Sequence, residues 1–197
     1  MRPVDNFPRR GSELPSSLQS QRFKELVLYL AARSSDDPGF GSVKLNKLLF
    51  FADFEAYRTL GHPLTGAHYQ KLRWGPAAIE FLPLQDELLS DGLATVETRE
   101  RGGYEQRVTI AIAEPDLRLF SPEEIAVVDR VLERLREHGA VGVSQLSHQR
   151  SAGWNLVEEG EIIPYDTAFI SMDEPSVQLR EHAERLGRER NWSAIRP

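Results

Sequence analysis

Five histidines, dispersed carboxylates and hydroxyls are the side chains with which this chain could move protons or attack an electrophile, and none of them falls at a spacing such chemistry needs. There is no His-Glu-x-x-His pair to hold zinc, no phosphate-cradling glycine loop ending in Lys-Ser/Thr, no nucleophile elbow and no dinucleotide fingerprint. Cysteine is absent, which removes disulfides, thiolate metal sites and thiol nucleophiles together. His62 lies in a glycine-bounded turn and His68 opens a short extended segment, places where a histidine is an ordinary surface residue. Asp53 shares a helical face with Asn46, Phe50 and Tyr57, which reads as a buried, hydrogen-bonded contact before it reads as a pocket. We therefore expect no catalytic residue, no metal and no cofactor.

Recognition by contact is the better-supported chemistry. Lys44, Asn46, Lys47 and Arg73 flank the densest apolar segments and are expected to rim an exposed surface. Trp74 precedes Gly75-Pro76 and is expected to plug the corner there, although indole rings also concentrate at binding hot spots. Trp154, between Gly153 and Asn155, is an equal candidate for core or contact. A helix beginning after Gly75 would leave backbone N–H groups free for an anion. The overall charge is −6, but residues 41–74 carry +3 and residues 113–174 carry −8. An acidic chain is a poor general binder of nucleic acid, so none is expected as a partner.

These residues must be positioned by helices. Leu45, Leu48, Leu49, Ala52 and Ala56 form one helical stripe and Phe50, Phe54 and Tyr57 a second beside it, so a helix over 42–60 should pack on at least two sides and end at Gly61. Phe23, Leu26, Val27, Leu30 and Ala31 predict a helix before it, closed by residues 34–39. Residues 68–74 read as a strand, and 76–90 as a helix with Pro76 in its first position and a kink at Pro83. Residues 93–98 and 105–112 alternate as a hairpin around 101–103. Ser121-Pro122-Glu123-Glu124 opens another helix with a capping box, which Gly139 should stop, and a short helix over 143–150 follows. The class is α+β, mainly α-helical, with a small antiparallel sheet.

At 197 residues the chain is one domain with appendages: a loosely docked polar arm over 1–20, a domain over 21–172, and a charged helical extension over 173–197. The arm has positive charge but no apolar run, so neither a secretory signal nor a membrane span is expected, and the expected location is the cytoplasm.

The Lys-Leu-Asn-Lys-Leu-Leu-Phe-Phe-Ala-Asp helix (44–53), the Gly61-His62-Pro63-Leu64-Thr65-Gly66 turn, the segment from Tyr69 to Pro76 and, more weakly, Leu146-Ser147-His148 with Trp154 together resemble the Panacea domain of SocA-like antitoxins. The resemblance spans about residues 20–172, and Ala77 departs from it where relatives more often carry a larger β-branched residue. It implies a binding protein that neutralises a cognate toxin protein, encoded by an adjacent gene, by direct contact, with delivery of that toxin to a cellular protease as a second route. The alternative reading is a winged-helix transcriptional regulator built from 93–112, 121–138 and 143–150. Its difficulty is that 143–150 offers only His148 and Arg150 to DNA.

Overall fold

The computed structural model describes residues 16–101 and 103–172, together with Gln178, Glu181, His182, Arg185 and Arg188. Residues 1–15 of the arm expected over 1–20 and most of the C-terminal extension lie outside the described residues. Helix α1 (Ser16–Arg33) begins within the segment expected to be a loose arm, because Arg22 and Phe23 anchor its first turns in the interior. Helix α2 (Ser42–Leu60) has the bounds its periodicity requires. Its end is set by Gly61, whose φ of 85° only glycine adopts freely and whose N–H donates to the Tyr57 carbonyl.

The double stripe makes α2 the axis of the molecule. Leu45, Leu48, Leu49, Ala52 and Ala56 are fully buried against α1 and against α4 (Pro122–Leu135), which contributes Val127, Val128, Val131 and Leu135. The aromatic stripe faces elsewhere: Phe50 and Phe54 stack at 4.2 Å, and Phe54 continues to Tyr165, with 4.8 Å between ring centroids. Helix α4 carries the expected capping box, Ser121 Oγ accepting from the Glu124 N–H while Glu124 accepts from the Ser121 N–H. The same Glu124 forms a buried ion pair with Arg22 at 2.6 Å, tying α1 to the start of α4.

Four expectations are corrected. Residues 76–80 are not helical: Ala77–Ala78 form strand β2, paired antiparallel with β1 (Tyr69–Gln70), and helix α3 starts only at Phe81 and runs to Ser90. Pro83 consequently lies in the first turn of α3, where a missing N–H costs nothing, and the helix has no reason to kink. Helix α4 ends at Leu135, and Gly139 instead caps the start of α5 (Ala140–Arg150). The strand expected over 68–74 contracts to β1, since beyond Lys71 the chain turns. The hairpin of β3 (Ala94–Arg101) and β4 (Tyr104–Ala111) keeps full register from Ala94↔Ala111 to Arg101↔Tyr104. The molecule is mainly helical with two small antiparallel sheets, the class the sequence requires. Among the described residues no helix is long and apolar enough to cross a membrane.

Candidate functional site

After Gly61 the chain returns along the aromatic face of α2, held there by Asp53. This carboxylate has no exposure and accepts from the Thr65 N–H (2.8 Å), the Thr65 hydroxyl (2.5 Å) and the Tyr69 hydroxyl (2.7 Å). Burial raises its pKa against the lowering effect of those donors, and burial followed by the Asp53 charge pushes the Tyr69 phenol well above its ordinary value. The group is a clasp that fixes where β1 begins.

Two-residue strands are not stable alone. β1 is flanked on its second edge by residues 161–163: the Lys71 N–H donates to the Glu161 carbonyl, the Gly160 N–H to the Lys71 carbonyl and the Ile163 N–H to the Tyr69 carbonyl. Past Lys71 the chain reverses through a β-turn closed by the Gly75 N–H on the Leu72 carbonyl at 2.9 Å. Arg73 and Trp74 are its two central residues. Both project into solvent, Trp74 at 66% exposure, with the Arg73 guanidinium 5.1 Å from the indole centroid. Leu72 and Ile162 add exposed apolar surface on either side.

The base of the turn is locked. Lys47 reaches from α2 to donate to the Pro76 carbonyl at 2.8 Å, in a site so dry that burial pulls its pKa down to about 8. Gly75 has φ of 98°, and a Cβ on it would lie 2.5 Å from Ser147 Oγ and 2.6 Å from Lys47 Cε. Only glycine fits. From the short helix α6 (Ala152–Leu156), Trp154 Nε1 donates to the Leu72 carbonyl at 3.1 Å while its ring stacks on His148 at 3.9 Å. Lys71 Nζ covers the same indole at 4.6 Å and donates to the Val157 carbonyl. Burial, then the Lys47 and Lys71 charges, lowers the His148 pKa, so the stacked ring is neutral at physiological pH.

The expected site residues therefore divide. Arg73, Trp74 and Trp154 converge at one corner, with Lys47 beneath. Lys47 does not rim an exposed surface as expected, being 3% exposed, because the Gly75-Pro76 corner closes over it. Lys44 is corrected likewise: at 2% exposure it ion-pairs with Asp37 at 2.5 Å and donates to the Arg136 carbonyl, away from the turn. Asn46 donates to the Ser42 carbonyl along its own helix and leaves Oδ1 buried without a partner. Trp74 is not the corner plug; Lys47 and Ser147 fill that role, and the indole is free. The expected anion-binding helix start after Gly75 is absent, since strand β2 follows.

His62 and His68 are exposed; His68 Nδ1 lies 2.6 Å from Glu80 and serves to hold that carboxylate at the β1–β2 edge. Among the described residues no group of histidines and carboxylates could hold a metal ion. The sequence reading did not foresee the roles of Lys71 and Ser147. Their signal was present only as a local excess of positive charge and as the Leu146-Ser147-His148 echo.

No curated protein and no solved structure matches the chain. A family model does: the one described as antitoxin SocA-like, Panacea domain, matches residues 45–155, a span that opens in α2, includes both hairpins, α4 and α5, and closes just past Trp154. With more than half of the chain inside that match, and the locked Gly75 corner within it, the protein belongs to the SocA-like antitoxin family through its Panacea domain.

Proposed function

We propose that this antitoxin-like protein works by binding rather than catalysis, gripping a cognate toxin protein directly with the Leu72–Gly75 turn. The observation that supports this is the 66% exposure of Trp74 on a turn whose base is fixed by Lys47, Ser147 and Trp154. Trp and Arg are enriched among the few residues that carry most of the binding energy at protein interfaces, and on a turn fixed at its base they have less conformational freedom to lose on binding. Centred on this turn, an interface of roughly 800 Å² on each partner is enough for a stable complex. Occlusion of the toxin's working surface is the simplest outcome; transfer of the bound toxin to a cellular protease is the finer alternative, and the two differ in whether toxin half-life falls.

The test pairs this chain with the product of the adjacent reading frame, expressed in growing cells. Wild type should restore growth and co-purify with that product, and Trp74→Ala combined with Arg73→Ala should lose both while keeping its melting temperature. Full rescue by the double variant would remove the turn from the interface. Salt-sensitive retention on DNA without any toxin capture would favour the regulator instead.

A further inference from the structure

A second surface lies where α4 packs beside α2. Between α2 and α4 runs a groove of about 410 Å³ lined by Glu55, Arg130, Val131, Glu133 and Arg134, within the size range of small-ligand sites. Its two acids are already engaged at the margins: Glu55 pairs with Arg58 at 2.6 Å and Glu133 with Arg136 at 3.9 Å. Arg130 and Arg134 have no carboxylate within ion-pair distance among the described residues, in a chain with 30 acids. Arg134 rests on the half-buried Phe51 ring at 5.6 Å, which orients its guanidinium plane. The largest charge acting on Arg134 is that of Glu55, and Arg150 at the end of α5 and Arg58 oppose it with like charge.

Arg130 and Arg134 stand one helical turn apart on α4, which places their Cβ atoms roughly 6 Å from each other. A guanidinium presents a planar fork that matches carboxylate or phosphoryl oxygens two at a time. Two forks at that spacing, neither in ion-pair contact with a carboxylate and facing a groove whose own acids, Glu55 and Glu133, pair with Arg58 and Arg136, suit one ligand bearing two oxyanion groups. We propose that the α2–α4 groove is a binding site for a compact small-molecule polyanion, phosphoryl or carboxyl in chemistry, held by Arg130 and Arg134. The site does not depend on the toxin-binding turn, and its loss should leave toxin capture intact.

Calorimetric titration of the full chain with tripolyphosphate and, separately, citrate, in physiological salt, tests this. Saturable one-to-one binding is expected for at least one, weakened about tenfold by Arg130→Gln and by Arg134→Gln, as loss of a charge-assisted bidentate contact implies. Arg99→Gln, a charge change on the exposed β3 strand, should leave it unchanged. Preference for tripolyphosphate assigns a phosphoryl ligand, and preference for citrate a polycarboxylate. If Arg134→Gln disturbs packing on Phe51, the variant at the exposed Arg130 still decides. No saturable binding of either anion up to about 10 mM, a range that reaches past millimolar affinity, would overturn the proposal. So would equal weakening by Arg99→Gln.

Discussion

Each of the two hairpins ends in an exposed aromatic residue, and they differ in everything that supports it. β3–β4 is long and regular, eight residues in each strand, with Tyr104 at its tip 79% exposed and nothing within 4 Å of where a Cβ on Gly103 would lie. Ala94, Val108 and Thr109 are buried along it, and near the tip the Gln106 side chain donates to the Phe40 carbonyl at 2.8 Å. β1–β2 has two residues in each strand, yet its Trp74 tip is held from three directions by α2, α5 and α6. Regular backbone pairing makes a hairpin; tertiary anchoring makes a rigid one. An exposed ring on the second kind can bind a partner with little further ordering, whereas one on the first must be immobilised at binding.

The largest way to break this contrast is to attack the anchor. Lys47→Glu sets a buried acid against the Pro76 carbonyl and should cost about 3–5 kcal/mol in chemical denaturation, the range for an uncompensated buried charge. A change below about 0.5 kcal/mol, the ordinary result for an exposed site, would show Lys47 to be solvated after all. The sequence alone suggested such exposure, and the 3% accessibility reverses it.

Titration of the same residue gives a second, smaller effect. In the folded protein Lys47 has its pKa lowered to about 8, against about 10.4 in an unfolded chain. Between those values the unfolded state binds more protons, so stability rises with pH through this window, by on the order of 3 kcal/mol at most, and is lost again as pH falls through 8. Lys47→Met should remove that slope. Denaturation midpoints for both proteins at several pH values above neutrality would show it, and parallel curves would contradict it.

Two glycines sharpen the comparison further. Gly75 and Gly103 both have positive φ, 98° and 81°, so alanine costs about 1–2 kcal/mol of backbone strain at either. At Gly103 nothing lies within 4 Å of the new methyl, while at Gly75 it meets Ser147 and Lys47. Gly75→Ala should therefore exceed Gly103→Ala by about 1–3 kcal/mol, the usual range for overpacking. Equal thermal shifts would mean that the corner yields easily and that the turn above it is not rigid.

The smallest expected effects are at the tips. Tyr104→Ala and Trp74→Ala should each alter stability by less than about 0.5 kcal/mol, and only the latter should weaken capture of the toxin. Equal loss of capture from both would spread the interface over the two hairpins.

What the sequence determined by itself was whatever local interactions decide. The bounds of α2 follow from its double stripe and Gly61; the start of α4 follows from Ser121, Pro122 and Glu124; the β3–β4 ladder follows from alternation around a glycine turn. Each signal acts within a few residues of the backbone it shapes. The site was legible only in part: Arg73, Trp74 and Trp154 stood out by residue type, but not which indole faces water. That depended on contacts between distant segments. Pro76-Ala77-Ala78 carries a respectable helix start, yet pairing with Tyr69–Gln70 holds it as a strand, leaving Ile79 and Leu82 exposed where a helical period would have buried them. Lys44 and Lys47 look like surface cations because lysine usually is one. Their burial required Asp37, the Arg136 carbonyl and the Pro76 carbonyl to arrive from elsewhere in the chain, and only the folded arrangement brings those acceptors to the two ammonium groups.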